Sequence, residues 1–228
     1  MRQASLLLLC TALAFASDRP RERDFTFDYQ AIVKDIPAGS QKVELWIPVP
    51  HDDPFQRITN LRVETPFPFT IAGGDQGNNI LHLKIDRPKV SSIPVMVSFH
   101  ALRRERIQSL AEVSTKTAPE PASDLARWLK PDRLVPIDGQ IKTWAREVVD
   151  AANAHTDLEM ARAIYNHVVA TVKYDKTGQG WGRGDIYYAC DARRGNCTDF
   201  HAIFIGYARA MGIPARFAIG FPLPEEHM

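Results

Sequence analysis

The sequence predicts an α+β protein with two domains, an antiparallel β-sandwich followed by a mixed domain that begins with helices. Two observations carry this prediction. Apolar and polar residues alternate from Asp24 to Phe99, which is the period of strands with one buried face. From Ser123 onward the apolar residues recur at a spacing of 3.6, which is the period of amphipathic helices.

The first domain is predicted over residues 24–106, as about six short strands with no helix between them. Turn residues such as Pro37-Ala38-Gly39 separate the apolar runs. These runs contain Phe25, Phe27, Tyr29, Ala31 and Val33, then Val43, Leu45, Ile47 and Val49, then Leu61 and Val63, then Leu81, Leu83 and Ile85, then Val95, Val97 and Phe99. The loop at His51, Asp52 and Asp53 is interpreted as an ordinary polar loop. The sequence of this domain shows no catalytic pattern, so we expect the domain to be a support or binding module.

A linker is predicted over residues 107–122, where serine, threonine and proline accumulate, and the second domain over residues 123–228. Its helical pattern starts with a short helix near 125–129, continues from Ile141 to Ala152, and resumes after Thr156. Thr156 and Glu159 have the spacing of a capping box. Residues 175–196 contain five glycines and are predicted to form a long loop.

The most informative stretch is residues 195–221. Gly195 suits a turn, Asn196 suits a helix N-cap, and the apolar spacing predicts a helix that ends at Gly212. Beyond Pro214, the apolar residues alternate again, which predicts a half-buried strand. The alternating residues are Phe217, Ile219 and Phe221.

One cysteine, Cys197, falls in the first turn of this helix. Unpaired N–H groups and the positive end of the helix dipole favour a thiolate there, and the same N–H groups can hold an oxyanion. Asp199 follows at the third helical position, where its carboxylate can accept from the N–H of the N-cap residue. We therefore interpret Asp199 as a structural clamp and Cys197 as a candidate nucleophile.

Four histidines of the second predicted domain are candidates for its base. His201 lies four residues after Cys197 and leans over the same turn, but it is interpreted as a packing or hydrogen-bonding residue, with direct catalysis as the alternative. His155 and His167 are interpreted as surface or packing residues, and His227 lacks the context of a strand.

Several phrases together resemble the core of the transglutaminase-like superfamily. They are GNCTDFH at 195–201 and RAMGIPAR at 209–216. GWGRGD at 180–185 and ACDAR at 189–193 resemble the bacterial exported branch, which carries an N-terminal β-sandwich domain. The resemblance spans about residues 123–224 and implies a papain-like fold with a Cys-His-Asp triad.

The resemblance also implies a chemistry. Cys197 takes the position of the nucleophile, so the implied reaction is acyl transfer on amide substrates through a thioester at Cys197, resolved by water or by an amine. The family's His and Asp sit on later strands, so they are expected beyond residue 228. The C-terminal sheet is therefore expected to be truncated and the domain incomplete. The full-length protein is expected to be a hydrolase, peptidase or cross-linking enzyme, and this fragment is expected to be inactive.

Three aromatic residues are secondary candidates in the glycine-rich stretch. Trp181 is expected either to line the groove for the acyl substrate or to anchor a mobile loop. Tyr187 or Tyr188 could offer a hydroxyl to the oxyanion, on resemblance to aromatic donors of the family. No cofactor and no metal are expected.

Two alternatives stay open. The protein could be a non-catalytic exported scaffold, whose β-sandwich holds a partner or a glycan and whose transglutaminase-like domain is inert. Cys190, Cys197 and His201 could instead bind a metal, although C-x6-C-x3-H matches no common zinc pattern. A disulfide between Cys190 and Cys197 would silence the thiol and is a further possibility.

Residues 1–16 have the features of a secretory signal peptide: Arg2, an apolar run, and a small-x-small site ending at Ala16. The protein is therefore expected to be periplasmic or secreted. The chain has a formal net charge of +1, and Arg2 is the one charged residue of the signal, so the mature chain is neutral. A neutral chain has no net electrostatic attraction to nucleic acid or to an anionic membrane, so no nucleic acid is expected as a partner. No stable membrane insertion is expected, since the apolar run of the signal is too short to span a membrane as a helix. The expected partner is a protein or peptide substrate, and the oligomeric state is not indicated.

Overall fold

The structure is a computed structural model, and it describes residues 20–74, 77–106 and 125–221. The described residues form two compact units, one within 20–106 and the other within 125–221. The predicted signal peptide at 1–16, the predicted linker at 107–122 and His227 lie outside the described residues. No helix among the described residues has the length and apolar character needed to cross a membrane.

The first unit consists of two antiparallel three-stranded sheets, with strand orders β1-β6-β3 and β2-β5-β4. Its strands are β1 (Glu22–Val33), β2 (Lys42–Val49), β3 (Gln56–Glu64), β4 (Phe69–Gly73), β5 (Asn79–Asp86) and β6 (Ile93–Arg104). Both sheets contribute to one buried core, made by Ile47, Val49, Leu81, Leu83, Ile93, Val95 and Val97. The predicted β-sandwich is confirmed.

Alternation of apolar and polar residues sets the register of this sandwich. Along β1 the exposed and partly buried residues alternate without a break, and Phe27 lies opposite Phe99 of β6 with the two rings stacked at 5.3 Å. A shift by one residue would turn the whole apolar row toward solvent. In the loop before β3, the Asp53 and Asp52 carboxylates accept the backbone N–H groups of Phe55 and Ile58, so both stabilise the loop.

The second unit is built from helices. They are a 3-10 helix (Arg127–Leu129), α1 (Gly139–Ala151), α2 (Asp157–Thr171), α3 (Ile186–Ala192) and α4 (Cys197–Ala210). The predicted capping box of α2 is present, with Thr156 and Glu159 each accepting a backbone N–H of the other. The core lies between the helices and contains Ile141, Ala145, Val149, Ile164, Val168, Val172, Ile186, Ala189, Ala202, Ile203, Tyr207 and Ala208.

Residues 175–196 were predicted to form one long loop, and this prediction is wrong for part of the segment. The segment contains α3 and a short strand. Asp185 caps α3, since its carboxylate accepts the N–H groups of Tyr187 and Tyr188. β7 (Lys173–Tyr174) pairs in parallel with β8 (Arg194–Gly195), which closes the segment at its base. A helix of seven residues is too short to show a clear period in the sequence.

The strand predicted after α4 is also wrong for the described residues. The segment 213–221 has no regular secondary structure. α4 ends at Ala210, two residues before the predicted stop at Gly212, whose φ is +84°. Phe217, Ile219 and Phe221 are 41%, 75% and 63% exposed. An alternating pattern forms a strand only when another strand accepts its backbone hydrogen bonds, and none of the described strands pairs with this segment.

Candidate active site

The N-terminus of α4 places Cys197 at the protein surface. Asn196 is the N-cap, and its side-chain oxygen accepts the N–H of Thr198 at 3.0 Å. The N–H of Asp199 is bonded to the carbonyl of Asn196 at 3.1 Å. Cys197 is the first helical residue and is an exposed free thiol. Its own N–H has no acceptor among the described residues, so an unengaged donor lies next to the thiol.

Asp199 is the side chain that holds the surroundings of Cys197 together. It is 0% exposed, and its carboxylate accepts three backbone N–H groups. The donors are Asn196 at 2.9 Å, Gly182 at 2.7 Å and Gly184 at 3.3 Å. These bonds replace the water that the buried carboxylate loses, and they fasten the glycine-rich stretch to the start of α4. The interpretation of Asp199 as a clamp is thus correct, and its contacts extend further than the sequence indicated.

Glycines in this region allow the backbone to lie close to the side chains of Asp199 and Thr198. A Cβ atom at Gly195 would lie 2.2 Å from Oδ2 of Asp199. At Gly184, where φ is +66°, a Cβ atom would lie 2.9 Å from Cγ2 of Thr198. Sequence reasoning missed the roles of Gly182 and Gly184 as donors. Glycine at every second position from 178 to 184 was the available signal, since it permits close approach of the backbone.

Trp181 lies half-buried in the glycine-rich stretch and bonds to its own loop. Its indole N–H donates to the carbonyl of Gly178 at 3.2 Å. The ammonium of Lys176 lies 6.0 Å from the ring centres of both Trp181 and Tyr174. These contacts favour the loop-anchoring interpretation of Trp181, and a role in lining a substrate groove stays a prediction. Tyr188 packs its ring against Gly180.

His201 contacts the backbone of Cys197. Its Nδ1 lies 2.6 Å from the carbonyl oxygen of Cys197, a distance at which the ring N–H donates to that oxygen. The ring also packs edge-on against Phe217 at 5.0 Å. His201 is therefore a hydrogen-bonding residue, as interpreted from the sequence. The sulfur of Cys197 makes no hydrogen bond to any residue in the described ranges, so the acid–base partner that the chemistry needs is not in contact with it there.

Cys190 occupies a different environment from Cys197. Both are free thiols, and Sγ of Cys190 lies 3.5 Å from the hydroxyl oxygen of Tyr207. Burial raises the pKa of the Cys190 thiol, which keeps it protonated and slow to react. The metal alternative receives no support, because Cys190 bonds to Tyr207 while His201 bonds to a backbone carbonyl.

Comparisons with known proteins concern the family and the fold of this chain. Residues 142–227 match the family model of the transglutaminase-like superfamily. A protein of Haemophilus influenzae, described as uncharacterized, is 25% identical over 209 residues, covering 88% of this chain and 55% of the relative. The structure of a candidate cysteine protease from Cytophaga hutchinsonii superposes with a TM-score of 0.60 at 14% identity, covering 87% of this chain and 66% of the other. The chain therefore spans about half the length of the curated relative, and the structural likeness shows the fold.

Proposed function

Because residues 142–227 belong to the transglutaminase-like superfamily, a family of cysteine enzymes, we propose that Cys197 is the nucleophile of an acyl transfer on amide substrates. The substrates are proteins or peptides, and the enzyme acts in the periplasm or outside the cell. No metal and no cofactor take part, since a thiolate, an oxyanion donor and a base suffice for this chemistry.

A single observation carries the proposal: Cys197 is an exposed thiol at the N-terminus of a helix. Its backbone N–H donates to no acceptor among the described residues. A helix N-terminus stabilises negative charge on the sulfur before attack. In the proposed reaction, the N–H of Cys197 donates to the oxygen of the carbonyl under attack as negative charge moves onto that oxygen.

The reaction runs in two steps. The thiolate attacks the amide carbon, the tetrahedral intermediate collapses, and the amine leaves with a proton, so that a thioester remains on Cys197. Water or a second amine then attacks the thioester, gives up a proton and regenerates the thiolate. Water gives hydrolysis, and an amine gives a new amide.

Both steps need a group that moves protons. His201 is engaged with the backbone carbonyl of Cys197, so we do not assign this role to it. We propose instead that a histidine beyond residue 228 supplies it and that an aspartate beyond the same residue orients that histidine. The likeness to the transglutaminase-like superfamily supports the proposal, since this resemblance implies a histidine and an aspartate on strands that follow the cysteine.

Site-resolved alkylation tests whether Cys197 is an activated thiol. The native protein is treated with iodoacetamide at about pH 7, and the modification of each cysteine is followed by peptide mass spectrometry. We expect Cys197 to react at least tenfold faster than Cys190, whose thiol is kept protonated by burial. In urea the two rates should converge. The variant Cys190→Ser should keep the fast phase, and Cys197→Ser should lose it.

The second candidate function is a non-catalytic exported scaffold. It is favoured by one observation, that no described residue acts as a base toward the sulfur of Cys197. Native labelling of Cys197 at the rate of a free cysteine peptide would support the scaffold and contradict the enzyme.

A further inference from the structure

A cavity of about 390 Å³ lies in the second unit, between α1, α2, α3 and α4. Cys197 does not line it, so the cavity is separate from the candidate nucleophile. Its volume falls within the range of sites that bind small organic molecules. The contacts inside it have no part in the acyl transfer proposed above.

Aromatic rings from three helices form its inner wall. Trp144 comes from α1, His167 from α2 and Tyr207 from α4. The rings of His167 and Tyr207 are stacked, with their centres 6.0 Å apart. The apolar side chains of Val148 and Ile203 also line the cavity. A wall of this kind suits a flat, apolar body.

Charged side chains lie at the mouth of the cavity without partners. Glu147, Asp191 and Arg193 are exposed and line it, and none of them forms a side-chain hydrogen bond or salt bridge within the described ranges. The indole N–H of Trp144 has no acceptor there either. Two carboxylates outweigh one guanidinium, so the mouth carries a net negative charge that a cationic ligand would neutralise.

The charged side chains at the mouth shift the pKa values of groups on the inner wall. Burial raises the pKa of the Tyr207 hydroxyl, its contact with Cys190 raises it further, and the Glu147 carboxylate adds the smallest contribution. Asp191 adds to the rise in the pKa of Cys190 that burial causes. Burial lowers the pKa of His167, and the Arg193 guanidinium lowers it further. The inner wall is therefore uncharged near neutral pH, and the opposing charges are confined to the mouth.

From this arrangement we propose that the cavity binds a small aromatic amine. The aromatic body lies against Trp144, His167 and Tyr207, and the primary ammonium bonds to Glu147 and Asp191 at the mouth. The ligand site is an addition to the acyl-transfer site and holds whether or not Cys197 is catalytic.

Calorimetric titration with 2-phenylethylamine tests the proposal, using the Cys197→Ser variant of the 228-residue chain so that only the cavity is probed. We expect saturable binding. The ligand should also slow alkylation of Cys190 by N-ethylmaleimide, measured by peptide mass spectrometry, because Cys190 lines the same cavity. The isostere 3-phenylpropionate, which replaces the ammonium by a carboxylate, should neither bind nor protect.

Matched variants locate the site. Glu147→Gln and Asp191→Asn should each weaken binding about tenfold, since each removes one charge-assisted hydrogen bond. Asp150→Asn is the control, because Asp150 is exposed on the same helix as Glu147 but does not line this cavity. The proposal is overturned by any of three results: no saturable binding of the amine, binding without protection of Cys190, or equal affinities in Glu147→Gln and Asp150→Asn.

Discussion

At the scale of the residue, Asp199 decides the geometry around Cys197. A buried carboxylate is costly unless its oxygens are bonded, and here three backbone N–H groups satisfy them. Two of those donors lie 15 and 17 residues earlier in the chain, so one side chain joins the glycine-rich stretch to α4. Asp199 thus positions the backbone around the candidate nucleophile Cys197.

Replacing this carboxylate is expected to weaken the second unit. Asp199→Asn puts an amide NH₂ where an oxygen now accepts N–H groups, so at least one buried donor is left without an acceptor. We expect a loss of about 3 kcal/mol in the free energy of unfolding, measured by urea titration. Glu159→Gln, an exposed capping residue of α2, is the control and should cost about 1 kcal/mol or less. A loss for Asp199→Asn no larger than that of the control would show that the clamp is unimportant.

At the scale of the element, α3 is a short helix that depends on its cap and its packing. Isolated helices of this length are unstable in water, because nucleation costs more than a few hydrogen bonds return. Asp185 supplies acceptors to the first turn, and Ile186 is fully buried against α4. A Cβ atom at Gly206 of α4 would lie 2.3 Å from Cδ1 of Ile186, so glycine permits this contact.

Removing the cap of α3 should loosen that helix. Asp185→Ala takes away the acceptor of two N–H groups, and we expect a loss of about 1 kcal/mol in stability. Hydrogen exchange read by mass spectrometry should accelerate in peptides covering residues 186–192. The matched control is Asp157→Ala, because Asp157 lies in the first turn of α2 but is not its N-cap. Unchanged exchange in α3 would mean that packing alone holds the helix.

At the scale of the whole molecule, two units of different construction share one chain. The first is stabilised by a core between two sheets, and the second by a core between helices. The first unit shows no chemistry in its sequence, and the candidate nucleophile belongs to the second. We propose that the sandwich is a support or binding module and that the helical unit carries the candidate nucleophile.

Export is the prediction that concerns the whole molecule. If residues 1–16 are a cleaved signal peptide, the mature protein begins at Ser17. Expression of the full sequence in a bacterium, followed by mass measurement of the periplasmic fraction, should find a species that lacks residues 1–16. Substituting Ala14 and Ala16 by bulky residues should block processing. Recovery of the unprocessed chain in the cytoplasm would contradict the predicted localisation.

The sequence by itself determined the features that depend on neighbouring residues. Alternation specified the strands of the sandwich, a spacing of 3.6 specified the longer helices, and Asn196 and Thr156 marked where two of them begin. The position of Cys197 in the first turn of its helix followed from the same local signals, and the motif around it indicated the resemblance to the transglutaminase-like superfamily.

Only the tertiary structure decided what depends on residues far apart in the chain. α3 forms because a neighbouring helix buries it, and 213–221 is irregular because no described strand pairs with it. The bonds from Gly182 and Gly184 to Asp199, and the cavity between four helices, have no local pattern at all. Local periodicity reports which face of an element is apolar, whereas the partner that covers the face is chosen by packing.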